Sequence, residues 1–144
     1  MNEHTSKLLT ECNYGCRMAL ESMQKILEYV EDDGFRHLII QYMEKHEKLE
    51  IESADLLSNE GKEQKEPGAV ANAFIWLTTE MKLMIKDGNH QIAKILMNGC
   101  NMGIQSISKC LNECCCHLEN DAEKLAKKLI HVEEEFMKEL EIYL

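Results

Sequence analysis

Apolar residues recur along this chain at alternating steps of three and four, the spacing of one face of an α-helix, in five successive segments. The first runs from about Glu3 to Glu31. Its inward stripe is Leu8 or Leu9, Cys12, Cys16, Leu20, Met23, Ile26 with Leu27, and Val30. Asp32-Asp33-Gly34 breaks it and caps the next, about Phe35–Ser58. That second stripe is Phe35, Leu38 with Ile39, Tyr42, His46, Leu49, Ser53 and Leu56, so a histidine stands in line with core residues. Asn59–Gly68 is polar and reads as the linker, and Pro67 suits the first turn of a third helix, about Ala69–Lys86, which carries Phe74, Trp76, Leu77 and Met81. Asp87-Gly88 ends it. A long fourth helix, residues 89–116, follows with Ile92, Leu96 with Ile95, Gly99 with Cys100, Gly103, Ile107, Cys110 and Cys114 inward. The last, about Asp121–Tyr143, starts at what reads as a capping box of Asn120 and Glu123, and buries Ala122, Leu125, Leu129, Val132, Phe136 and Leu140.

Four of these helices match in length, at roughly 35–43 Å for about 1.5 Å per residue, and the Ala69–Lys86 helix is shorter. The pattern predicts an all-α four-helix bundle: two antiparallel hairpins joined by a shorter crossover helix. At 144 residues the chain is long enough for one domain with a substantial core. One Pro and seven Gly leave few helix breakers, which agrees with an all-helical chain. A net charge of −10, with no separate Lys/Arg block, argues against nucleic acid and against an anionic membrane surface. The first residues lack the apolar run of a signal peptide or membrane span, so a cytoplasmic setting with reduced thiols is the expectation. Seven cysteines cannot all pair within one chain. Cys12/Cys16 and Cys110/Cys114, four apart on helices, are poorly placed for disulfides and well placed for two thiolates to meet one soft metal ion.

Phe35…Tyr42…Leu49, Gly68…Trp76…Lys82 and the Gly88 before the fourth helix resemble the ferritin-like superfamily, and most of all a branch of small bacterial four-helix bundles whose crossover is itself a helix. The resemblance covers nearly the whole chain. It implies a metal centre inside the bundle, built in that superfamily from one Glu on each of two helices and Glu-x-x-His on each of the other two. Here the pattern is broken. Met43 stands three before His46, Lys128 three before His131, and Cys16 and Cys100 are the inward residues nearest to where the other two carboxylates would come. That argues against an ordinary di-iron oxidase or a storage cage.

Counting turns from the helix ends puts Cys16, His46, Cys100 and His131 within about one turn of a common layer, one from each long helix. Glu50 and Glu135 each lie four residues from one of those histidines and share its face. Two thiolates and two imidazoles suit a tetrahedral zinc ion and also iron or copper. Cys12 falls level with Cys110, so Cys12, Cys16, Cys100, Cys110 and Cys114 form a thiol ladder along one half of the core. Each residue taken alone is equally an ordinary position, since free cysteine packs as a small hydrophobe. The run Cys114-Cys115-Cys116-His117 points several ways around a helix end and reads either as an exposed thiol cluster or as ordinary helix-end residues.

The expected function is binding of a transition metal ion (zinc, iron or copper) through Cys16, Cys100, His46 and His131, with Glu50 or Glu135 as auxiliary ligands and Cys12 and Cys110 of the thiol ladder as further candidate ligands, for storage, buffering or sensing. The alternatives are a non-catalytic interaction module that has lost its metal site and an oxidoreductase with thiolate-ligated iron. No Gly-x-Ser-x-Gly, phosphate-cradling loop or His-Glu-x-x-His supports hydrolysis, so enzymatic turnover is not the leading reading. The expected partner is the metal ion; a homodimer is left open, and neither nucleic acid nor membrane is expected.

Overall fold

The computed structural model of the chain describes residues 1–59, 61, 88–114 and 116–144. The expected helix Ala69–Lys86 and Cys115 lie outside the described residues. The described residues form four α-helices, α1 (Glu3–Leu27), α2 (Asp33–Asn59), α3 (Gly88–Cys114) and α4 (Asn120–Leu140), followed by a short 3₁₀ turn, Glu141–Tyr143. No strand occurs among the described residues.

The helix ends follow from local hydrogen bonding. Asn2 caps α1, its Oδ1 accepting from the Thr5 amide at 2.8 Å. The stripe through Val30 suggested a longer α1, but the helix stops at Leu27. There the amides of Tyr29 and Val30 turn back to the Ile26 and Leu27 carbonyls at 2.9 and 3.3 Å. The Arg36 guanidinium also donates to the Leu27 carbonyl at 2.6 Å, satisfying a helix-end acceptor with a cation. Asp32 caps α2 by accepting from the Phe35 amide at 2.7 Å. The expected Asn120–Glu123 box does not form. Glu119 takes the N-cap position of α4 without a side-chain cap bond. Its amide donates to Thr5 Oγ1 at 3.0 Å, which ties the α3–α4 turn to α1.

The helices form two hairpins, α1–α2 and α3–α4, with α1 beside α3 and α2 beside α4. Lys7 meets Glu113 at 3.1 Å, so the start of α1 lies against the end of α3. Lys45–Glu135 and Lys128–Glu52, each at 3.4 Å, fix α2 and α4 as antiparallel neighbours. These exposed pairs mark register more than they stabilise.

The core is divided in two. One apolar cluster, at the end carrying the α1–α2 turn, contains Met23, Ile26, Phe35, Ile39, Ile92 and Phe136. The other, at the end carrying the α3–α4 turn, contains Leu8, Leu9, Leu49, Leu57, Ile107 and Leu125. Burying such a side chain fully contributes about 1.5–3 kcal/mol. Leu57 at the end of α2 and Ile92 at the start of α3 belong to opposite clusters, so those two helix termini lie at opposite ends of the bundle. No helix among the described residues is long and apolar enough to cross a membrane.

Candidate metal centre

Near the junction of the two clusters stand His46 from α2 and Glu133 from α4, both buried. The stripe of α2 turns His46 inward because it falls four residues after Tyr42 and three before Leu49. Its Nδ1–H donates to the Tyr42 carbonyl at 2.7 Å, which fixes the ring and its tautomer. Nε2 makes a direct hydrogen bond to Glu133 Oε1. A carbonyl can only accept, so the proton on Nδ1 is committed and the Nε2–Oε1 contact holds the next one. Burial alone would lower the pKa of His46. The hydrogen bond and charge of Glu133 outweigh it, helped by the Tyr42 carbonyl, and the net shift is upward.

Cys100 on α3 completes a third side of this centre. Burial, and then the nearby Glu133 carboxylate, hold its thiol well above the usual thiol range. Cys16 on α1 is fully buried. Its thiol is also held up, first by burial, then by the charges of Cys12, Glu133 and Glu50. Each helix thus sends one ligand-type side chain toward a single level: Cys16, His46, Cys100 and Glu133. A second buried polar group lies alongside on α1 and α2, where Asn13 Nδ2 donates to Ser53 Oγ at 3.1 Å and to the Glu50 carbonyl at 3.2 Å.

Three of the four residues expected at this level, Cys16, His46 and Cys100, are buried there. His131 is not among them. Its side chain is 70% exposed and pairs with Glu135 at 2.5 Å on the outer face of α4. Glu135 also reaches Lys45 and so belongs to the same outer face. Glu50 is half-buried, one turn beyond His46, and acts on Cys16 only through its charge. Glu133 was missed by the sequence reading, which placed Val132 inward. The steps Leu129, Glu133, Phe136, Leu140 run four, three, four, and that register was the available signal.

Cys12, Cys16, Cys110 and Cys114 share the apolar cluster nearer the α3–α4 turn, while Cys100 belongs to the other cluster. Cys12, Cys110 and Cys114 therefore lie toward the α3–α4 turn from the level that Cys16 and Cys100 share with His46 and Glu133. Burial holds the Cys12 thiol far above its usual range. Cys110 is pushed up to about 11 by burial and by Cys114 beside it. These protonated thiols behave as core packing unless a metal displaces their protons. Cys116 is exposed, and His4 stacks on His117 at 4.9 Å near the same end of the bundle.

Among the described residues no three His, Cys, Asp or Glu side chains are arranged to hold a metal ion as they stand. No known protein family, curated protein or solved structure matches the chain.

Proposed function

We propose that the protein binds a transition metal ion at the mid-bundle level, with His46, Glu133, Cys100 and Cys16 as ligands. The observation that carries the reading is the buried contact of His46 on α2 with Glu133 on α4, with the buried thiols of Cys100 on α3 and Cys16 on α1 close enough to feel the Glu133 charge. Imidazole, thiolate and carboxylate in a mixed set suit zinc or iron, and the added sulfur suits copper. The ion would compete with the protons now held by His46 and Cys100, so binding and proton release go together. Its role would be storage, buffering or sensing. The paired hairpins, with the α2 end and the α3 start at opposite ends of the bundle, support kinship with ferritin-like bundles in which sulfur has taken the place of two carboxylates.

The test is metal content after anaerobic purification. Wild-type protein is expected to carry zinc, iron or copper in stoichiometric amount. His46→Gln and Glu133→Gln, which keep hydrogen-bonding groups in place, are expected to lose it while retaining the helical circular dichroism signal. A metal-free wild-type protein, or full loading in both variants, overturns the reading.

A second reading rests on the fact that His46 and Glu133 already satisfy each other. A bundle held in register by this ion pair, with no metal, would serve as a non-catalytic interaction module. The same analysis separates the two.

A further inference from the structure

Glycine inside a helix weakens it relative to alanine, through backbone entropy. Gly15 on α1 and Gly99 and Gly103 on α3 sit in helix interiors. Backbone conformation does not call for them, because the positive-φ glycines among the described residues are Gly61 and Gly88. Close helix contact does not call for them either. A methyl group on Gly15 or Gly99 would meet nothing within 4 Å among the described residues, beyond its own chain neighbours. On Gly103 its nearest neighbour among the described residues would be the Glu133 side chain, with Oε2 at 3.6 Å, an ordinary van der Waals contact.

What the three glycines share is a crevice of about 360 Å³ between α1 and α3. Ala19, Ser22 and Ser106 extend its narrow-residue walls, and Met18, Ile95, Met102 and Leu129 give it apolar sides. Its floor is His46, Glu133 and Cys100. A volume in the range of small-molecule pockets, mostly apolar walls and a few convergent polar groups are the features of a ligand site.

We propose that this crevice binds a neutral, largely apolar small molecule bearing one hydroxyl, which donates to Glu133. The floor chemistry selects that class. Both ring nitrogens of His46 are committed, to Tyr42 and to Glu133, so the floor has no imidazole N–H to give. A carboxylate offers about four lone-pair sites, of which His46 uses one, so it still accepts. Glu133 is already paired with His46, so a cationic ligand would have to compete with the imidazole for the same carboxylate. An anion meets Glu133 and, at the crevice wall, Glu11. The site shares Glu133 with the metal reading but does not rest on it.

The experiment is calorimetric titration of the reduced, EDTA-treated full chain with 1-naphthol, with 1-naphthoate and naphthalene as comparison ligands. Saturable binding of 1-naphthol is expected, about tenfold or more tighter than of either comparison ligand. Gly15→Leu and Gly99→Leu place side chains where the described residues leave open space, so both are expected to fold with a thermal midpoint at or above wild type. Both should weaken 1-naphthol binding about tenfold or more. Absence of saturable 1-naphthol binding, equal binding of 1-naphthoate, or undiminished binding in folded Gly15→Leu and Gly99→Leu overturns the proposal. Because the protein is stripped of metal first, failure here leaves the metal reading standing, and loss of the metal reading leaves this one standing.

Discussion

Replacing His46 by Leu in the metal-free protein should lower folding stability by about 3–5 kcal/mol, because it leaves the Glu133 carboxylate buried without its partner. Glu133 is 6% exposed, too little for water to replace the lost bond. The double variant His46→Leu/Glu133→Leu should recover most of that loss, since an apolar pair of similar volume removes both desolvation costs. Urea midpoints at unchanged slope would measure both. A single variant within about 1 kcal/mol of wild type would mean that the pair is not closed in solution. The same pair makes stability depend on pH. The folded-state pKa of His46 lies above its ordinary value of 6.5. Its contribution is therefore full below about pH 6.5 and is lost as pH rises through the folded-state value. The double variant should lack that component.

Phe136→Ala should cost about 3–5 kcal/mol, the range for emptying an aromatic site in a closed core. Phe136 is 2% exposed and lies one turn beyond Glu133. Its ring stacks on Tyr42 at 4.4 Å and 8°. Tyr42 is in turn held by a hydrogen bond from its hydroxyl to the Glu139 carboxylate. One deletion thus opens a cavity at the boundary between the apolar cluster and the polar centre. Ile51→Ala is the control, because Ile51 is 54% exposed and its loss should stay within about 0.5 kcal/mol. Equal thermal shifts in the two variants would contradict this division of the core.

Most of the helical architecture was legible because apolar spacing is a direct record of which face is buried. Phe35, Tyr42, His46, Leu49 and Ser53 were all placed inward on α2 from spacing alone, and all are buried. Helix ends were less legible, since they depend on partners distant in sequence. Arg36 closing the end of α1 and Thr5 taking the Glu119 amide are contacts that no local pattern announces. The centre was legible in three of its four residues. Cys16, His46 and Cys100 stood in apolar stripes, where a polar or sulfur-bearing side chain is conspicuous. Glu133 was hidden by its neighbours. In Val132-Glu133-Glu134-Glu135 the apolar residue draws the inward assignment, and three successive carboxylates look like a solvated face. Only the rotation of α4, set by Leu129, Phe136 and Leu140, turns Glu133 in and leaves His131 and Glu135 out. The crevice was not legible, because glycines at helical spacing announce close packing as readily as open space.

The proposed metal binding is tested most directly by the absorption of the cobalt(II)-loaded protein, in which thiolate ligation produces sulfur-to-metal charge transfer. Wild type and Cys110→Ser should both show that band, Cys100→Ser should weaken it, and Cys16→Ser/Cys100→Ser should abolish it. A wild-type spectrum without the band, or one that survives the double substitution, would contradict ligation at the level of His46 and Glu133.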